Sequence, residues 1–182
     1  MNIFHSFQIK LAVKRLEKLS ARLKDYQEYK QAQQSIIDYL VKLGEPIVEP
    51  LLDVLRQSIL YRVRISIIIT LGKIGDLRAV DPIIKIIKGN DRNDRPLLEE
   101  AAIALGKIGD KRSLDALKSI INEDTSATRE AWRAAANAYE KISGENLDNQ
   151  RKRMENYWEK EDREYAEREA FEQWHRDGSS LL

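Results

Sequence analysis

Apolar residues recur at three- and four-residue spacing along most of this chain, which predicts amphipathic helices rather than strands. The pattern is clearest over Leu60–Ile74, where one helical face carries the apolar positions. A glycine follows at Gly75, an aspartate at Asp76, and a second periodic run over Arg78–Ile87. The same order returns at Gly109, Asp110 and Arg112–Ile121. Residues 67–87 read IIITLGKIGDLRAVDPIIKII and residues 101–121 read AAIALGKIGDKRSLDALKSII. The hexapeptide LGKIGD is repeated letter for letter, and Leu71 to Leu105 is a step of 34 positions. A period of that size marks stacked helical units, each of which buries its apolar face on its neighbours.

Weaker copies flank the two clear ones. Leu43-Gly44-Glu45 stands in the register of Ile74-Gly75-Asp76, and Pro50 matches Pro82 after deletion of one residue. Residues 138–144, AYEKISG, match 104–110, with Lys141 and Ile142 in register. About four units result, the outer ones degraded, as terminal units of a stack must be because one face lacks a neighbour. Each unit reads as a helical hairpin turned at its glycine, where a left-handed conformation costs least. Asp76 and Asp110 are placed to cap the next helix. Pro82 lies early in its helix and is expected to cost a hydrogen bond and bend the axis. Ala101, Ala102 and Ala104 permit close helix approach, whereas Ile67, Ile68 and Thr70 in the same slots imply a wider contact.

These residues resemble the HEAT-like repeats of phycobilisome lyases. The resemblance rests on Val63-Arg64, Leu71-Gly72, Ile74-Gly75-Asp76, Arg78-Ala79-Val80-Asp81-Pro82 and Leu105–Asp110; Leu114-Asp115-Ala116 lacks the proline. It covers roughly residues 30–145. It implies an all-α, right-handed α-solenoid of about four hairpins, with helical extensions at both ends. The expected organisation is a capping helix over 1–29, the array over 30–145, and a charged, aromatic-bearing helical extension over 146–182. Relatives of this repeat include protein-binding modules, bilin lyase subunits, DNA-lesion enzymes and iron hydroxylases.

Composition narrows the chemistry. The 182 residues contain no Cys, which excludes disulfides and thiolate metal ligands. No apolar run reaches the roughly 20 residues of a bilayer span, and the start MNIFHSFQIK lacks a secretory core, so a cytoplasmic location is the expectation. Formal net charge is +1, which argues against non-specific nucleic-acid binding. The charge is uneven: the first 42 residues are rich in Lys and Arg, and the acids lead beyond Gly144. Two solvated faces explain this, and head-to-tail association of copies is the other reading. Phe7, Leu11, Leu16, Leu19, Leu23 and Tyr26 form an N-terminal stripe that reads as a cap on the first hairpin, with a membrane-surface helix as the alternative. The loop Gly89–Pro96 carries turn formers throughout, and Pro96 is placed to open the next helix.

No catalytic, cofactor or metal site is signalled. There is no phosphate-binding glycine loop and no GxSxG. The two histidines, His5 and His175, lie outside the repeats, and the paired His-Glu of the iron hydroxylases is missing. Trp132 reads as a core residue. In the tail, Met154, Trp158 and Tyr165 share a helical stripe that Phe171 and Trp174 leave, which predicts a bend or second helix near Ala170.

The resemblance implies that the helix ending in LGKIG lines a concave face. Its non-consensus positions are then Gln34, Ser35, Asp38 and Lys42; Tyr61, Arg62, Ile65, Ser66, Ile69 and Lys73; Glu99, Glu100, Ile103 and Lys107; and Arg133, Asn137 and Lys141. Ile65, Ile69 and Ile103 are out of place on a solvated face, and a polar rim surrounds them, as in an interface core. Burial of these isoleucines beneath the tail is the competing reading. The expected function is non-enzymatic protein recognition by an adaptor or assembly factor. Alternatives are a bilin lyase or chaperone-like subunit acting on phycobiliproteins, and a DNA-binding or base-repair solenoid.

Overall fold

The computed structural model describes residues 3–22, 26–89, 95–122 and 127–178. The elements in order are α1 (Ile3–Arg22), α2 (Tyr26–Leu43), α3 (Val48–Gln57), α4 (Tyr61–Ile74), α5 (Val80–Lys88), α6 (Arg95–Ile108), α7 (Leu114–Asn122), α8 (Arg129–Ser143) and α9 (Asp148–Gly178). No strand occurs among the described residues. Two compact units are formed, residues 1–145 and residues 146–182.

In the first unit the short helices α3, α5 and α7 each bury one narrow stripe. In α5 these are Val80, Ile83, Ile86 and Ile87, spaced to fall on one face. Helices this short are marginal in isolation, and each buried aliphatic side chain contributes about 1.5–3 kcal/mol. The longer helices α4, α6 and α8 are buried over a wider arc. α4 sequesters Val63, Ile67, Ile68, Thr70, Leu71 and Gly72. They form an inner layer in which α4 and α6 have an inner neighbour on each side and α8 has α6 on one, and α3, α5 and α7 form the outer layer.

Packing identifies the hairpins. Among helices consecutive in the chain, those that pack on each other are α1/α2, α3/α4, α5/α6 and α7/α8, each an outer helix followed by an inner one. The expectation that the LGKIGD turn closes a hairpin is therefore corrected: that turn joins one hairpin to the next. Its mechanics are as read. Gly75 and Gly109 both adopt φ of 79°, which releases the chain from the inner helix. Asp76 then accepts the amide of Arg78 at 2.9 Å, and Asp110 that of Arg112 at 2.8 Å. Each aspartate caps a single 3-10 turn, Leu77–Ala79 or Lys111–Ser113, and the α-helix starts only after it. Pro82 is consequently the third residue of α5. Its missing N–H is one of the orphan donors of a first turn, so no helical bond is lost there.

Curvature follows from a second use of glycine. A Cβ on Gly72 would lie 2.7 Å from both Cα and Cβ of Ala104, and one on Gly106 would lie 2.8 Å from Ala138 Cβ. α4, α6 and α8 thus approach almost backbone to backbone, whereas α3, α5 and α7 touch one another far less. A stack tight on its inner layer and looser on its outer one bends toward the inner layer. The α2–α4 contact has no such notch, because Val41 stands in the register of Gly72 and Thr70 in that of Ala104.

α1 is the outer helix of the first hairpin and also reaches α3 and α4. Its buried stripe is Ile9, Ala12 and Leu16, while Phe7 is 66% and Leu11 45% exposed. The expected stripe through Phe7 and Leu11 is therefore corrected, being rotated from the one the helix buries. Leu23, the side chains of His5 and Tyr26, and the loop over 90–94 lie outside what the structure describes. In the second unit α9 runs unbroken through Ala170, so no second helix starts there. His175 instead packs edge-on against Phe171 and Trp174, with ring centroids 4.3 and 4.8 Å away.

Two kinds of glycine predict two kinds of damage. Helix propensity alone favours Ala over Gly by about 1 kcal/mol, yet Gly106→Ala is expected to destabilise by about 1–3 kcal/mol through overpacking. Ala138→Gly in the same chain should recover part of that loss. A Cβ at Gly75 would meet no atom within 4 Å, so the cost of Gly75→Val is taken as conformational, about 1–2 kcal/mol, and no neighbour substitution should relieve it. Urea denaturation of these three variants beside the parent checks both statements. Equal stability of Gly106→Ala and the parent would remove the tight inner contact.

Candidate functional site

The inner helices share one register. Steps of 31, 34 and 34 residues carry Lys42 to Lys73, Lys107 and Lys141, and the same steps carry Asp38 to Ile69, Ile103 and Asn137. A third row is Gln34, Ile65, Glu99 and Arg133. Positions four apart lie on one helical face, so each helix contributes one residue to each row. Lys73, Lys107, Arg133 and Asn137 are exposed; Ile65, Ile69, Ile103, Glu99 and Glu100 are half-buried. Ile69 and Ile103 therefore retain accessible surface in the middle row, and Ile65 in the row beside it. Tyr61, 46% exposed, sits at the start of α4.

Two of the expected surface residues are committed to the fold. Ser66 is fully buried: its hydroxyl donates to Arg62 O at 2.8 Å and accepts from Gln33 Nε2 at 2.8 Å. Its place on an accessible face is corrected, because it ties α4 to α2. Arg62 is half-buried and lies 4.5 Å over the Tyr29 ring, with its Nε donating to Tyr61 Oη at 3.1 Å. That stacking locks the guanidinium against the preceding helix.

The lysine row also bridges helices. Lys73 Nζ lies 3.0 Å from Asp38 Oδ1, and this hydrogen bond holds the Asp38 carboxyl below its usual range. Lys141 Nζ donates to the carbonyl of Gly106 at 2.7 Å. All four lysines sit in the last turns of their helices, where a cation suits the helix dipole. Glu100 behaves oppositely. Burial pushes its carboxyl up and Glu99 adds to the rise, against Lys107 and Lys30.

The turn edge of the stack uses its charges internally. Arg78 Nη2 lies 2.6 Å from Asp76 Oδ2 and donates to Glu45 O in the preceding turn. Arg112 repeats the arrangement with Asp110 at 2.7 Å, reaches Leu77 O, and pairs with Asp81 at 2.9 Å. The arginine hydrogen bonds hold both Asp76 and Asp110 below the ordinary carboxylate range. This Asp-x-Arg ladder joins successive turns.

The sequence did not point to one feature. A cleft of about 690 Å³ opens where α3, α4 and α5 meet, lined by residues including Leu55, Tyr61, Arg64, Pro82 and Lys85. Ile59, 95% exposed, stands on its wall. Its signal was the apolar run Ile59-Leu60-Tyr61 between two helices, which reads equally as the start of α4. Trp132 is a core residue as read, buried with Nε1 donating to Ile121 O at 3.0 Å. Among the described residues no helix is long and apolar enough to cross a membrane.

Paired helices stacked in register through repeated turns define an all-α solenoid. The model of the HEAT repeats family matches residues 48–138, half of the chain, and this chain belongs to that family. The matched region runs from α3 into α8 and contains both LGKIGD turns. No curated protein matches the chain.

Glu100 gives a pH test of this face. Its folded value lies above its unfolded one, so the folded state holds the proton more tightly. Ionised Glu100 then costs stability, a cost absent in acid that grows as pH rises from the ordinary glutamate range through the raised value. Glu100→Gln is expected to raise the denaturation midpoint at neutral pH, with the gain shrinking toward acid. A variant no more stable than the parent at neutral pH would contradict the burial of that charge.

Proposed function

We propose that this protein is a non-enzymatic adaptor or assembly factor that recognises a protein partner on the concave face of its inner helices. The reading is supported by one observation above the others: Ile69 and Ile103, with Ile65 in the next row, keep accessible surface on that face, with Lys73, Lys107, Arg133 and Asn137 exposed around them. Half-buried aliphatic side chains inside a charged border have the composition of an interface core and its rim. The family supports it too, since HEAT repeats generally serve as protein-interaction scaffolds. Tyr61, Glu99 and Glu100 complete the proposed contact surface. The phycobilisome-lyase type of repeat remains part of the proposal at the level of sequence, through Val63-Arg64 and Arg78–Pro82. A bilin lyase role would require binding of an open-chain tetrapyrrole, seen as a change in its absorption.

Site-specific photo-crosslinking tests the reading. A photoreactive residue at Ile69 or Ile103 should yield a discrete protein adduct in a lysate of the source organism. The same residue at Lys118, exposed on the outer helix α7, should not. Ile65→Glu with Ile103→Glu should abolish the adduct formed through position 69, at a stability cost of about 1 kcal/mol per site. Adducts formed only from position 118 would move the binding site off this face.

A further inference from the structure

Building on that reading, we propose that the partner segment is an acidic amphipathic helix, laid across the inner helices with its apolar stripe on Ile69 and Ile103 and its carboxylates on the lysine row. The chain as a whole carries a net charge of only +1, yet Lys42, Lys73, Lys107 and Lys141 occupy one row without an acid among them. All four are exposed. Lys73 and Lys141 each spend a donor on Asp38 and on the Gly106 carbonyl. An ammonium has three donors, so both keep capacity for a ligand. The adjoining row holds Ile69 and Ile103 side by side on α4 and α6. A ligand for this surface needs anions along one edge and apolar groups along the next.

Spacing selects the backbone of that ligand. Neighbouring packed helices lie about 8–10 Å apart, so the lysines recur at about that interval. On an α-helix, residues seven apart return to the same face after about 10.5 Å. Carboxylates at heptad spacing come within reach of successive lysines, whose long stems cover the remaining difference, while the adjacent stripe meets the two isoleucines. An extended strand fits less well: its side chains alternate between opposite faces, so it offers one line of residues where two adjoining rows have to be met. Duplex DNA carries a charge about every 1.7 Å of its axis, far denser than the lysines, and gives the isoleucines nothing to contact.

The test uses the intact protein and a labelled synthetic peptide of about six helical turns, with glutamate at heptad spacing beside a leucine stripe. Fluorescence anisotropy should show saturable binding that weakens as salt is raised. Lys73→Glu with Lys107→Glu should weaken it by about tenfold or more, and a peptide with lysine in place of each glutamate should bind this charge-reversed variant better than it binds the parent. Should the reversed variant fail to fold, Lys73→Gln with Lys107→Gln replaces it and should show the same loss. Three results would overturn the inference: no binding of the acidic peptide, equal binding after its leucines are changed to serine, or tighter binding of duplex DNA. A partner cross-linked through Ile69 whose contacting segment is basic or uncharged would also overturn it, while leaving protein recognition on the inner face intact.

Discussion

The contact that the rest of the array depends on is the approach of Gly72 to Ala104 and of Gly106 to Ala138. Neither glycine leaves room for a single further carbon. With no side chain between them, α4, α6 and α8 pack more closely than the outer helices can. That inequality bends the stack and makes one face an inner one. It also brings Ile69 beside Ile103 and Lys73 beside Lys107, so the surface proposed to bind a partner is a by-product of two missing methyl groups. Propensity argues against a glycine in either helix by about 1 kcal/mol each, and packing overrides it.

Charges are divided between two edges of the unit. On the turn edge Asp76, Arg78, Asp110 and Arg112 satisfy one another and the preceding turn. These pairs are largely exposed and so add little individually; their regularity sets the register of one hairpin on the next. On the inner face the pattern is less closed. Asp38 has a lysine partner, but Glu100 is held in a half-buried position where its ionised form is disfavoured.

The ends of the array obey the same logic by departing from it. Val41 and Thr70 replace the glycine–alanine notch at the α2–α4 contact. There the joint is made by polar and stacking groups, with Gln33 bonded to Ser66 and Arg62 laid on Tyr29.

The sequence alone determined the class of fold. A step of 34 residues, the LGKIGD turn and the Asp cap are local, and local rules for helix, left-handed glycine and capping act wherever those residues occur. Trp132 as core was legible from its large apolar ring, and an inner position for the LGKIG helices only from the resemblance to known repeats. What only tertiary structure decided was pairing. Each inner helix has an outer helix before it and another after it, and nothing in the periodicity says which is its hairpin partner; packing chose the preceding one. Ser66 and Ile65 are adjacent in sequence, yet one is sealed against Gln33 and the other stays accessible, because a helix rotates about 100° per residue and the neighbour's position settles the outcome. The rotation of α1 onto Ile9, Ala12 and Leu16 rather than Phe7 and Leu11 has the same cause. Amphipathic pattern narrows the choice of face to a few, and the contact with α2, α3 and α4 selects one.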